Sequence, residues 1–274
     1  MRIISLVPSW TETLIEAGAN VVGRTRYCIH PHDNVKAIEA VGGTKSFDIE
    51  KIRALKPDLI LLDREENTKA MGEMASSIAP THVSHVTRVQ DMPHELRALA
   101  VRISNPQLND FAMRFDHVLA KPALVLHNDS FAELLKWQRR DGSVEGLQSP
   151  EFVYCIWKDP WMSAGRGTFI SSMVERVGFD LTKMWPPVSM TSGDAELSIS
   201  PSVNSGSTSV KYPTFDEREI PAGAWVLLSS EPYPFAKKPP LLQQENIALV
   251  DGESFSWFGI RALRFLESAH EKSI

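Results

Sequence analysis

Over its first ninety residues the chain alternates short apolar runs with helical ones, and few folds can accept that rhythm. "RIISLV" (2–7) is too short for a helix and too apolar for an exposed strand. "PSWTETLIEAGA" (8–19) follows as a loop running into a helix, with Ser9 or Thr11 expected as its cap and Leu14, Ile15 and Ala17 facing inward. "NVVGRTRY" (20–27) is a second strand and "DIEKIRALKPD" (48–58) an amphipathic helix stopped at Lys56-Pro57. "LILLD" (59–63), "ENTKAMGEMASSI" (66–78) and "THVSHV" (81–86) give strand, helix and strand again. This β-α-β-α order predicts a mainly parallel sheet covered by helices.

The middle of the chain breaks the rhythm. "VQDMPHELRALAVRI" reads as a helix, and in "NPQLNDFAMRFDHVLAK" (105–121) Leu108, Phe111, Phe115 and Leu119 recur at helical spacing. "SFAELLKWQRR" (130–140) also reads as helix, so no strand is expected between about 88 and 150. Alternation then resumes with "FVYCIW", "GTFISSMVERVG" (167–178), "AWVLLSS" (224–230), "NIALVDG" (246–252) and a closing helix, "WFGIRALRFLESAHEK" (257–272). The Ser-rich stretch 189–209 is expected to be an exposed loop. The fold class expected is therefore α/β. It has two lobes, 1–88 and 151–274, each a mainly parallel sheet flanked by helices, joined by a helical connector, 89–150.

At 274 residues and 43% hydrophobic, the chain can bury two cores. Its net charge of -5, with no basic run, argues against a nucleic-acid partner. No apolar stretch approaches the roughly 18 residues of a membrane helix. "MRIISLVPS" runs from Met1 into a strand without the apolar segment of a secretory signal, so a cytoplasmic location is expected if Met1 is the native start. Cys28 and Cys155 sit among apolar and aromatic neighbours and read as buried free thiols.

The distinctive clusters fall where strands end, which in parallel α/β sheets is where ligands bind. They are "PSWTE" (8–12), "YCIHPH" (27–32), "DREEN" (63–67), "KDPWMSAG" (158–165), "SSEPYPF" (229–235) and "DGESFSWFG" (251–259). Trp10, Tyr27, Trp157, Trp161, Tyr233 and Trp257 are candidate wall residues for a large flat ligand, because rigid aromatics give contact area at little entropic cost. Each has a plainer reading as a cap on its lobe's core. Glu66 and Glu231 are candidate polar contacts. Adjacent glutamates such as Glu65 and Glu66 more commonly favour a helix dipole than perform acid-base chemistry. His30 and His32 lack the further converging ligands a metal site needs. No GxSxG, HExxH, P-loop or CxxC motif occurs.

Two stretches carry a resemblance: "GGTKSFDIEKIRALKPDLIL" and "WKDPWMSAGRGTFI", supported by "RIISLVPSWTETLIEAG" and "LVDGESFSWFGIRAL". Together they resemble the vitamin B12-binding proteins, within the helical-backbone class of ABC-importer substrate-binding proteins that also holds ferric-siderophore and haem receptors. The resemblance implies two lobes enclosing a metal-chelate ligand, foremost cobalamin or another corrinoid, with no catalysis and no resident cofactor. It implies a monomer in the periplasm or at the cell surface that docks on an ABC permease dimer through one glutamate per lobe. Glu50 matches the first-lobe position, and Glu217 or Glu219 the second. Trp157 and Trp161 would line the second-lobe wall, opposite Trp10, Tyr27 and the 64–67 loop. The acidic "DREEN" departs from the family pattern and would suit a smaller or more cationic ligand. Two rivals remain open: a tetrapyrrole- or metal-handling enzyme, and direct metal-ion binding through His30, His32 and carboxylates.

Overall fold

The computed structural model describes residues 1–124, 136–137, 151–186, 211–240 and 242–272. The Ser-rich stretch 189–209 lies outside the described residues. The chain divides into two compact units, Met1–Lys121 with Trp257–Arg264, and Pro122–Ser256 with Phe265–Ile274.

Unit 1 is built on five parallel strands: β1 (Ile3–Ser5), β2 (Val21–Thr25), β3 (Glu39–Gly42), β4 (Leu59–Asp63) and β5 (Thr81–Ser84), in the order β3-β2-β1-β4-β5. Every residue of β1 and β4 is buried, as expected of strands covered on both faces. Helices α1 (Pro8–Glu16), α2 (His32–Val35), α3 (Ile49–Ala54) and α4 (Lys69–Ser76) alternate with the strands, and α5 (Met92–Ile103) packs against α6 (Pro106–Ala120). Ile4, Leu6, Ile52, Ile60, Leu62 and Met71 form a continuous core.

Local chemistry sets several helix starts. Asp48 accepts the Glu50 and Lys51 amides at 3.0 and 3.2 Å, Thr68 the Met71 amide, and Asn105 the Gln107 amide. α1 differs from the sequence expectation. Neither Ser9 nor Thr11 caps it, because the helix already begins at Pro8, which places Val7, with no polar side chain, at the cap. Thr11 lies inside the helix and returns its hydroxyl to the Val7 carbonyl at 2.9 Å.

Unit 2 carries a six-stranded sheet: β6 (Lys136–Trp137), β7 (Phe152–Trp157), β8 (Trp161–Ser163), β9 (Thr214–Phe215), β10 (Trp225–Ser229) and β11 (Ile247–Val250). The order is β6-β11-β10-β7-β8-β9. Only β11, β10 and β7 are mutually parallel, and the other three strands pair antiparallel, so this sheet is mixed rather than mainly parallel. β6 corrects the helix expected over 130–140, since Lys136 and Trp137 pair with Leu249 and Ala248. The open edge of β11 offers ladder hydrogen bonds that side-chain spacing alone does not reveal. Helices α7 (Phe169–Arg176), α8 (Gly252–Ser256) and α9 (Ile260–Lys272) complete the described elements. Thr168 and Ser171 form a reciprocal cap at the start of α7.

The first residues of α9 belong to unit 1, where they seat on α1. Arg261 grips Glu12 through two bonds of 2.9 and 2.8 Å, and the Ile260 amide donates to the Thr13 hydroxyl. Gly259 permits this approach: its φ is +85°, and a Cβ there would lie 2.1 Å from Thr13 Oγ1.

Candidate functional site

In unit 1 the loops after the strands are held by a buried polar network. Asp63, at the end of β4, is 1% exposed. Its carboxylate accepts the Ser84 hydroxyl at 2.7 Å and the Glu65 amide at 2.8 Å. Burial pushes this carboxyl above the usual range, and the Ser84 and backbone hydrogen bonds pull it partly back. Asn67 accepts the Asp63 amide and donates to the carbonyls of Leu6 and Thr44 at 3.2 and 2.9 Å. "DREEN" is thus a fixed loop lying against the end of β1. Within it Glu66 is half-buried. Burial raises its pKa, the nearby Lys45 charge lowers it, and Asp63 and Glu65 add to the rise.

Trp10 takes part in the same network and is fully buried. Its indole N–H donates to Ser84 Oγ at 2.8 Å, and its ring meets Phe258 edge-on at 5.4 Å. Tyr27, by contrast, is 52% exposed, with the Arg26 guanidinium 5.3 Å from its ring centre. Gly43 lies beneath the pair, where a Cβ would come within 3.2 Å of Arg26 and 3.3 Å of Tyr27. Trp257 is half-buried, edge-on to His30 at 5.5 Å and covered on another side by Arg261 at 5.2 Å. Glu50 is exposed and pairs with Arg53 at 2.8 Å.

In unit 2 the two tryptophans around the 158–160 turn part ways. Trp157 is 41% exposed and meets Tyr233 edge-on at 5.6 Å. Trp161 is 7% exposed, within the core. It lies between Phe235 at 5.7 Å and Phe215 at 5.9 Å, both stacked, and its indole N–H donates to Glu217 Oε2 at 2.8 Å. The cause is a strand the sequence concealed. "WMS" forms β8 and pairs with β7 and β9, which turns Trp161 inward. Glu217 is half-buried through this bond, whereas Glu219 of the same turn is exposed. Tyr233 also contacts Phe235 at 4.6 Å, and Glu231 is half-buried in the same loop, its carbonyl accepting the Ser229 hydroxyl.

The units therefore present exposed rings at Tyr27 and Trp157 and half-buried ones at Tyr233 and Trp257, and enclose Trp10 and Trp161. Sequence inspection passed over Arg26 and Lys45. The Arg-Tyr adjacency at 26–27 was a visible signal for the first. Lys45 reaches the Glu65 carbonyl, at 3.2 Å, only through the fold. Cys28 and Cys155 are free and buried. Among the described residues no group of three or more His, Cys, Asp or Glu could hold a metal ion, and no helix is long and apolar enough to cross a membrane.

The family described as periplasmic binding protein matches residues 3–116. The vitamin B12-binding protein of Pectobacterium atrosepticum is 32% identical over 196 residues, 69% of this chain and 66% of that protein. Its counterpart in Pectobacterium carotovorum is also 32% identical over 196 residues, 69% of this chain and 65% of that protein. The aligned part thus spans just under two-thirds of these relatives. Among solved structures, the periplasmic vitamin B12 binding protein of Vibrio cholerae superposes with a TM-score of 0.65 at 18% identity, over 99% of this chain and 96% of that one. The periplasmic haem-binding protein of Roseiflexus sp. RS-1 gives 0.63 at 16% identity, over 100% and 99%. At such identities the two structures establish a shared fold.

Proposed function

We propose that the chain, whose residues 3–116 match the family described as periplasmic binding protein, is the non-enzymatic substrate-binding component of an ABC importer for a metal chelate, foremost cobalamin or another corrinoid. The observation that carries the ligand is the 32% identity, over 196 residues, to proteins named for vitamin B12. The exposed aromatics support it, because a corrin-sized ring needs rigid apolar surface. In this reading Tyr27 and Trp257 of unit 1 and Trp157 and Tyr233 of unit 2 contact the ring, while Glu66 and Glu231 supply polar contacts. Trp10 and Trp161 act from behind, as supports. The protein works in the periplasm or at the cell surface. It meets its permease through the exposed Glu50 and through the 217–219 turn, where Glu219 is the freer carboxylate.

Haem and ferric siderophores are the competing ligands, since haem-binding proteins share the fold. Calorimetric titration with cyanocobalamin, haem and a ferric siderophore separates them. Tight 1:1 binding of cyanocobalamin alone is expected. Binding of haem in its place would keep the transport reading and change the ligand.

A further inference from the structure

α1 starts at the C-terminal end of β1, the central strand of the parallel sheet. Strand order reverses there, with β2 and β3 on one side and β4 and β5 on the other. Crevices at such points hold ligands in α/β sheets. The helix has no side-chain cap and no acidic residue in its first turn, so the positive end of its dipole is uncompensated within the helix.

A second observation concerns Ser9, the next residue after Pro8 in that turn. Ser9 is 5% exposed. Among the described residues neither its N–H nor its hydroxyl has a hydrogen-bond partner; only its carbonyl is used, by the Thr13 hydroxyl. Helical Cα–Cβ bonds tilt toward the N-terminus, so the Ser9 Cβ leans toward the open end of α1. The oxygen is absent from the wholly enclosed unpartnered atoms of the described residues, so it keeps contact with the surface. Leaving a nearly buried donor unmade costs more than a typical hydrogen bond gains. The Trp10 N–H is fully covered and contributes only its field.

We propose that the N-terminus of α1 is an oxyanion subsite, in which the Ser9 N–H and hydroxyl take one oxygen of a phosphate or carboxylate group on the ligand. The neighbouring acids do not close it. Asp63 is already engaged by the Ser84 hydroxyl and the Glu65 amide. Lys45, tied to the Glu65 carbonyl, contributes a compensating cation. That the group belongs to a corrinoid, whose nucleotide loop carries a phosphodiester, rests on the proposed function; the subsite itself does not.

The test titrates inorganic phosphate by calorimetry at low ionic strength into the wild type, Ser9→Ala and Ser9→Asp. Ser9→Ala is expected to weaken binding about tenfold, the scale of one hydrogen bond to a charged group. Ser9→Asp is expected to abolish binding and raise Tm, because its own carboxylate then occupies the helix end. Phosphate that ignores the wild type, or binds all three proteins equally, overturns the subsite. A parallel arm compares cyanocobalamin with dicyanocobinamide, which lacks the phosphodiester, and with haem, which offers carboxylates. A preference for cyanocobalamin over dicyanocobinamide that disappears in Ser9→Asp assigns the phosphodiester to the subsite. Ser9-dependent binding of haem in place of cyanocobalamin assigns a carboxylate. Phosphate binding that depends on Ser9, with no cyanocobalamin binding, keeps the subsite and removes the corrinoid. Tight cyanocobalamin binding with phosphate indifferent to Ser9 does the reverse.

Discussion

Trp157 and Trp161 are four residues apart and face different fates. Truncating Trp161 empties a stacked position in the core and strips Glu217 of its donor. Trp161→Ala should therefore cost about 3–5 kcal/mol in urea unfolding. Trp157→Ala should leave stability within about 1 kcal/mol, because the ring is 41% exposed. It should instead weaken cyanocobalamin binding by roughly 1–3 kcal/mol in calorimetry. Equal stability losses in the two variants would refute this division of labour. Glu12 and Arg261 make a second residue-level case. Their side chains are 7% and 21% exposed, and removing one leaves a nearly buried charge. Arg261→Ala should destabilise the protein by about 3–5 kcal/mol, also read in urea.

At the scale of elements, β5 against α5 carries a pH dependence. His82 lies on β5, with Nε2 enclosed, without a hydrogen-bond partner, and 4.0 Å from Glu95 Oε2 of α5. Burial, then the charge of Arg102, lowers its pKa below 6.5. The folded state thus favours the neutral ring. Its stability contribution is complete above 6.5, erodes below that value as the unfolded chain takes up a proton first, and is gone below the lowered folded value. The urea midpoint should fall from pH 7 to pH 5, and fall less in His82→Gln; parallel profiles would exclude the histidine. Elements also show where periodicity stops informing. β1, β4, β7 and β10 were legible because strands buried on both faces are written as unbroken apolar runs. β6, β8 and β9 are two or three residues long and exist only because a neighbour offers its edge. Nothing local distinguishes them from loop.

For the whole molecule, α9 is the shared part. Its residues up to Arg264 belong to unit 1 and those from Phe265 to unit 2. A break at that boundary should be felt in both. Arg264→Pro removes a helical N–H mid-helix and should cost about 3 kcal/mol or more, with faster hydrogen exchange at both β1 and β10. Arg264→Ala loses only the half-exposed pair with Glu16 and should stay within about 1 kcal/mol. Exchange that quickens in one unit alone would show that the helix is not shared energetically.

The sequence by itself determined the α/β class, the main parallel strands, most capped helices and the clustering of unusual residues at strand ends. These follow from hydrophobic period and from side chains acting on their own backbone neighbours, both of which are local. The tertiary structure alone decided which aromatics meet solvent. Trp10 and Trp157 look equally available along the chain. Ser84 and Phe258, 74 and 248 residues away, close over the first, while Trp157 keeps an open face beside Tyr233. Exposure depends on partners brought from distant sequence, and no local pattern encodes it.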